Sequence, residues 1–314
     1  MLSLDRICKT YRVGTFGSRE LQAVCDVSFD VGTGEVVSVI GESGCGKTTI
    51  GKMILRLVST TSGTITLDGM DVGSLKRREL KEYYRRVQGV FQDPFSSYNP
   101  VFKADRVFRI VRTHFYPRID EHVWSAKVEQ ALGSVGLNPK HVLAKYPHQL
   151  SGGQLQRFLI ARALLLDIQF LVADEIISML DASTRIDVLN LLADLKETGL
   201  SVLFVTHDLS LGYYISEHSV ILYRGRIVEM GDTRKIFDAP RHPYTRMLMA
   251  SVPRLDRRWE SVDVELQAKE ADLTDGCVYY DRCTDNARGE ACCTCRPSLV
   301  EVAPDHFVAC GKTG

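Results

Sequence analysis

Residues 41–49 read GESGCGKTT, between the β-branched run EVVSVI at 35–40 and a segment of helical composition at 48–58. Strand, glycine loop and helix, in that order, are the context in which a G-x4-G-K-T pattern holds phosphate. Glycines let successive backbone N–H groups turn inward as an anion nest, and the helix adds the positive end of its dipole. In this reading Gly41, Ser43, Gly44, Cys45, Gly46 and Thr49 form the cradle, Lys47 reaches the outer phosphates and Thr48 offers its hydroxyl to Mg2+. A purely structural glycine turn is the competing reading, and the flanking elements weigh against it.

A second glycine turn stands downstream, where residues 150–154 read LSGGQ and open onto a helical run at 155–166. Ser151 suits the N-cap position, and the amides of Gly152, Gly153 and Gln154 then form another anion-facing helix start. One nucleotide needs one cradle, so two cradles in one chain suggest two halves of different sites. Residues 170–175 read FLVADE: four apolar residues make a buried strand, and Asp174 and Glu175 emerge at its end. Asp174 can then hold Mg2+, and Glu175 can orient or deprotonate an attacking water. A solvated carboxylate pair closing a strand is the plainer alternative.

Outward from these motifs, strands are expected at 2–7, 23–31, 64–67 and 201–205, with turns at Asp68-Gly69 and at 223–226. Residues 96–146 are helix-rich and interrupted, and 124–135 is the clearest amphipathic stretch within them. The alternation of strands and helices argues for an α/β domain with a mainly parallel sheet, its ligands at the carboxyl ends of the strands. No internal repeat is evident, so a single nucleotide domain is expected.

The chain has 314 residues, 45% hydrophobic and 25% charged, with 39 basic and 39 acidic side chains. That balance offers no bulk basic field for nucleic acid or anionic lipid. The N-terminal residues lack the apolar stretch of a signal peptide, and the most apolar segment, 158–173, is broken by Arg162 and Asp167. A soluble, cytosolic chain is expected, with any membrane role passing through a partner.

Together these motifs resemble the ATP-binding subunits of ABC transporters, over roughly residues 1–250. The resemblance implies a P-loop NTPase (RecA-like) nucleotide-binding domain at 1–252, with an antiparallel β subdomain and a helical insertion at about 96–155. A Cys-rich extension at 253–314 follows. LSGGQ is then the signature that closes on ATP held by another subunit, with Asp181 in the D-loop that runs across the same interface. Gln92 looks like the glutamine that contacts Mg2+ and the attacking water, and His207 like the switch histidine at the γ-phosphate. Tyr11 resembles the aromatic that stacks on adenine, with a core aromatic as its rival reading. The residue after Glu175 is usually proline in this family; here it is Ile176, which is expected to loosen that turn.

The resemblance also implies partners. A second ATPase subunit completes each site, as a homodimer or, preferentially, a heterodimer. Two integral membrane permeases dock near 92–105, and an extracytoplasmic solute-binding protein joins the assembly at the cytoplasmic membrane, with this chain on the cytoplasmic face. RHPYTR at 241–246, with Leu248 and Val252-Pro253-Arg254, resembles the oligopeptide and dipeptide importer branch, which also contains nickel-chelate and oligosaccharide systems. Tyr98 and the run Leu155-Gln156-Arg157 lean towards oligosaccharide cargo. A soluble ABC ATPase of DNA repair or translation is the rival class, but the chain lacks both a coiled-coil insertion and a second nucleotide domain.

Nine cysteines include Cys277, Cys283, Cys292, Cys293, Cys295 and Cys310 near the C-terminus. In a cytosolic protein such crowding suggests a metal before disulfides. The branch resemblance points to Cys277, Cys283, Cys292 and Cys310, with Cys293 and Cys295 as rivals for the third position. Four thiolates suit a [4Fe–4S] cluster or structural zinc, and unligated thiols are the remaining alternative.

Overall fold

The β-branched run at 36–40 and the apolar runs at 170–174 and 201–206 form strands buried along their whole length. The computed structural model describes residues 1–14, 19–251, 276–283, 292 and 294–311. The strands are β1 (Leu2–Val13), β2 (Arg19–Val31), β3 (Val36–Ile40), β4 (Ser62–Leu67), β5 (Met70–Asp71) and β6 (Val87–Val90). They continue with β7 (Phe170–Asp174), β8 (Ser201–Thr206), β9 (His218–Tyr223), β10 (Arg226–Asp232), β11 (Val300–Ala303) and β12 (His306–Val308). The helices are α1 (Lys47–Ile54), α2 (Arg77–Arg86), α3 (Arg106–Phe115), α4 (Glu121–Ser134) and α5 (Pro139–Val142). After them come α6 (Gly152–Leu164), α7 (Ala182–Glu197), α8 (Leu209–Ile215), α9 (Thr233–Asp238) and α10 (Pro243–Ala250).

The chain divides into two units, one of Leu2–Asp30, Val36–Gly73 and Val205–Gly314, the other of Met1, Val31–Glu35 and Ser74–Phe204. The first holds a sheet in the order β2-β1-β4-β5, with β1–β4 and β4–β5 antiparallel. It also holds β3 parallel to β9, which continues antiparallel through β10, β12 and β11. The run from β3 into the phosphate loop and α1 lies entirely in this unit, as the strand–loop–helix reading requires.

The second unit contains β6 parallel to β7, with helices α2 to α7. The expected amphipathic helix at 124–135 is α4, capped by Asp120, whose carboxylate accepts the His122 and Val123 N–H groups. It buries Trp124, Val128, Ala131 and Leu132. Phe108 of α3 stacks on Phe158 of α6 with centroids 4.4 Å apart, which fixes the signature helix against the helical insertion. Tyr98, 8% exposed, points its hydroxyl at the Leu155 carbonyl, 3.5 Å away. It is a packing residue of the helical part.

The RHPYTR segment acquires a physical role in the first unit. Glu229 of β10, 0% exposed, accepts the N–H groups of Arg241 on Oε1 (2.8 Å) and His242 on Oε2 (2.9 Å), and His306 Nε2 of β12 lies 2.7 Å from the same Oε1. A buried carboxylate is tolerable only with such partners, so this one residue ties the chain entering α10 to the C-terminal hairpin. His242 then caps α10 by accepting the Tyr244 N–H on Nδ1 (3.1 Å), Pro243 occupies the first helical position, and Tyr244 is wholly buried.

Accepting on Nδ1 requires a ring that is not doubly protonated. Burial, and then the Arg246 charge, push the His242 pKa down from 6.5 to about 4. The stability this provides is complete above pH 6.5 and is lost as pH falls through the window from 6.5 to about 4. His242→Asn keeps a capping acceptor and removes the titration. Urea unfolding across that window should show wild-type stability falling more steeply than the variant's, by up to about 3 kcal/mol; equal slopes would contradict the assignment.

Candidate nucleotide site

The phosphate loop is shaped by close backbone approach. Gly46, at φ 109°, caps α1, and a Cβ there would sit 2.5 Å from the Ala23 carbonyl oxygen. A Cβ at Gly41 would run into the Leu222 carbonyl. Two of the motif's glycines are therefore imposed by neighbouring strands as well as by the nest. Lys47 is 4% exposed, and its ammonium donates to the carbonyls of Gly41 (2.7 Å) and Glu42 (2.9 Å). Cys45 is buried inside the loop, and burial pushes its thiol pKa up, so it acts as a small apolar filler and not as a nucleophile. Thr48 and Ser43 are exposed, and Thr49 is half-buried. Tyr11 lies half-buried on β1 with Lys9 Nζ 5.2 Å from its ring centroid, and His207 is exposed immediately after β8. These residues belong to the first unit.

The second unit carries the others. Asp174 ends β7 and is 4% exposed. Glu175 follows in the left-handed region at φ 50°, a conformation non-glycine residues adopt at a cost of roughly 1–3 kcal/mol. Its carbonyl accepts both the N–H (3.1 Å) and the hydroxyl (2.9 Å) of Ser178, and Ile176 and Ile177 are buried. At the turn where Ile176 replaces the usual proline, the side chain is packed inside and Ser178 bonds back to the Glu175 carbonyl.

Ser151 and Gln154 form a reciprocal capping box: the Gln154 N–H donates to Ser151 Oγ (3.2 Å), and the Ser151 N–H to Gln154 Oε1 (2.9 Å). A Cβ on Gly153 would meet Thr184 of α7 at 2.5 Å, so this glycine serves packing as well as presenting an amide, whereas Gly152 meets only Leu180 at 3.9 Å. Asp181 caps α7 through Ser183 Oγ (2.6 Å), Thr184 N–H (3.0 Å) and Thr184 Oγ1 (2.8 Å), which hold its carboxyl well below the usual carboxylate range. Gln92 is exposed, and the residues just before it are gripped by α6. Gln156 Nε2 donates to the Phe91 carbonyl (3.3 Å), and the half-buried Arg162 donates to that of Gly89 (2.8 Å). Sequence reasoning did not single out these two links, because nothing local marks a helix residue as the partner of a distant carbonyl.

A glycine cradle around a buried lysine, a buried carboxylate ending a strand and a capped glycine-led helix are the parts of an ATP site. A putative peptide import ATP-binding protein of Brucella ovis is 40% identical over 318 residues, covering 99% of this chain and 97% of its own. The chain belongs to the ABC transporter ATP-binding family. The ABC transporter family model matches residues 24–178, and the model for the oligopeptide/dipeptide transporter C-terminal region matches 228–292. The oligopeptide transport ATP-binding protein AppF of Bacillus subtilis is 39% identical, covering 93% of this chain and 89% of its own. The dimeric post-hydrolysis structure of the ATP-binding cassette MJ0796 with ADP and Pi superposes with a TM-score of 0.67 at 29% identity, covering 74% of this chain and 99% of that one. The fold is thus the ABC ATPase cassette with mixed α/β sheets, and the activity is ATP hydrolysis.

Cys277 donates its N–H to the Cys292 carbonyl (2.9 Å), and its thiol pKa is raised by burial first and then, among other influences, by Cys310, Cys292 and Cys283. The four expected residues therefore gather, but among the described residues no group of three or more His, Cys, Asp or Glu is arranged to hold a metal ion. Among the described residues, Cys277, Cys283, Cys292, Cys295 and Cys310 form no disulfide. Cys293, Val252, Pro253 and Arg254 lie outside the described residues.

The loop geometry sets different costs at two glycines. Gly46→Ala must displace the Ala23 carbonyl, whereas Gly44, at φ 80°, has nothing within 4 Å of an added Cβ. Gly46→Ala should abolish binding of a fluorescent ATP analogue and lower stability in urea by about 1–3 kcal/mol. Gly44→Ala should lower stability less; equal losses would show that the Ala23 contact does not constrain the loop.

Proposed function

We propose that this chain is the ATP-hydrolysing subunit of a multi-subunit importer that carries oligopeptides or dipeptides across the cytoplasmic membrane. The observation that carries the reading is the near full-length match to peptide import ATP-binding proteins, in a chain whose Lys47 is held within a complete phosphate loop. The proposed cassette spans 1–252 with its helical part at about 96–155. The extension 253–314 returns to the first unit through Tyr279 and the β12–β10 pairing.

ATP binds at residues 41–49, with Thr48, Gln92 and Asp174 holding Mg2+ and Tyr11 stacking on adenine. When bound, Mg2+ neutralises charge developing on the phosphates. Glu175 takes a proton from the attacking water, and His207 contacts the γ-phosphate. Ser151, Gly152, Gly153, Gln154 and Asp181 face the ATP of a partner subunit, preferentially a related chain in a heterodimer. Binding then joins two subunits and hydrolysis releases them, as in other switches gated by a terminal phosphate.

No helix among the described residues is long and apolar enough to cross a membrane. We assign coupling to two permeases, with an extracytoplasmic solute-binding protein supplying cargo and this subunit on the cytoplasmic face. Support comes from a cavity of about 410 Å³ lined by Phe102, Arg106, Arg109, Ile110, Thr113 and His114. Phe102 and Ile110 are 40% and 48% exposed there, and Phe95 and Val101 lie exposed just before it in sequence. Apolar surface of this kind, about ten residues after Gln92 in sequence, suits the cytoplasmic helices of a permease.

Glu175→Gln should leave ATP binding intact, reduce turnover by at least a hundredfold and yield an ATP-dependent dimer by size-exclusion chromatography; normal turnover would sink the catalytic assignment. Affinity capture of the native complex should recover two multi-span membrane proteins, and Phe102→Asp should weaken that recovery without changing ATP affinity. Recovery of ribosomes or DNA in their place would overturn the transporter reading.

A further inference from the structure

Glu42, the second residue of the phosphate loop, brings a carboxylate into a site meant for a polyanion. Every polar group of this residue is engaged. Its carbonyl accepts from Lys47 Nζ (2.9 Å) and from the Cys45 N–H (3.3 Å). Its N–H donates to the Tyr244 hydroxyl (3.0 Å). Both carboxylate oxygens lie on Arg282 Nη1, at 3.0 and 2.8 Å. Arg282 is itself held, with its guanidinium carbon 5.9 Å from the ring centroids of Tyr223 and of Tyr279. Those rings pack with Tyr244 in one cluster with Ile40, the last residue before the loop. The Arg282 side chain is 17% exposed and that of Glu42 40%, so the pair is partly shielded from solvent.

We propose that Arg282 is a positioning residue for ATP binding: it neutralises Glu42, keeps that carboxylate turned from the phosphates and so fixes the carbonyl that orients Lys47. Two consequences separate this from ordinary packing. An unneutralised carboxylate beside the phosphates repels them, so loss of Arg282 harms ATP affinity through Glu42. Removing the Glu42 charge as well should then restore most of that affinity. A packing role has no such rescue, because deleting a second partner cannot rebuild lost contacts.

The proposal rests on residues 41–49 being the ATP site, so Lys47→Ala is the reference. Binding of a fluorescent ATP analogue to the full chain, at low and high salt, gives the readout, with urea midpoints as the measure of folding. Arg282→Ala is expected to raise Kd on the order of tenfold at low salt, with a smaller rise at high salt. Glu42→Gln alone gives the reference for a loop without that charge, and the double variant E42Q/R282A should bind within about threefold of it and more tightly than R282A. An unchanged Kd for R282A, or a double variant as impaired as R282A, overturns the positioning role. If K47A binds as wild type does, the site reading itself fails and the proposal falls with it. Arg282→Gln, closer in volume, carries the same test if R282A does not fold.

Discussion

The ammonium of Lys47 is buried and bonded to two carbonyl oxygens, and a buried charge is tolerated only where its partners are fixed. What fixes them accounts for much of the first unit. The Gly41 carbonyl belongs to a residue pressed against Leu222 of β9, and the Gly46 turn against the carbonyl of Ala23 on β2. The Gly225 N–H donates to the Cys45 carbonyl (2.8 Å), and the Cys25 N–H to that of Gly225 (2.8 Å), so the hairpin after β9 buttresses both loop and β2. The Glu42 carbonyl depends in turn on Tyr244, which is in place only because His242 caps α10 and Glu229 anchors the chain entering it. A chemical requirement at one lysine is thereby met by residues from β2 to the C-terminal segment.

The second unit is organised around α6 in a similar way. Its first turn is shaped by the Ser151–Gln154 box and by the fit of Gly153 against Thr184, and its middle grips the backbone ahead of Gln92 through Gln156 and Arg162. Gln156 is buried and Arg162 half-buried, and the buried atoms Gln156 Oε1 and Arg162 Nε find no hydrogen-bond partner among the described residues. Incompletely satisfied buried polar groups are costly, and their occurrence at this contact fits a place where α6 and the Gln92 segment move as one piece. The glycine turn at 151–154 and the backbone just before Gln92 are therefore both held by α6.

Much of this was legible in the sequence because it is local. The phosphate loop, the Asp174-Glu175 strand end, the Ser151 cap and the α4 amphipathic stretch each depend on residues within a few positions of one another. What was not legible depends on closure over long distances: Tyr244 meets Glu42 across 202 positions and Arg282 does so across 240. The HPY letters marked a branch of the family without disclosing that they form a cap, a helix start and a hydroxyl aimed at the loop. Cysteine spacing brought Cys277, Cys283, Cys292 and Cys310 to notice, but spacing does not contain the geometry of a ligand set.

The turn after β7 illustrates why a departure from a family pattern need not change its mechanics. A proline after Glu175 would restrict the backbone by fixing φ and removing a donor. With Ile176 in that position the restriction must come from elsewhere, and two bonds from Ser178 to the Glu175 carbonyl supply it, with Ile176 and Ile177 buried beneath. Glu175 is thereby held at φ 50°, a conformation that would relax in a loose turn. Left-handed backbone at a non-glycine residue persists only where its surroundings over-determine it, and the carboxylate aimed by that backbone is the one assigned to the attacking water. Rigidity at this position is a property of the whole turn from Glu175 to Leu180, and proline is one of several ways to obtain it.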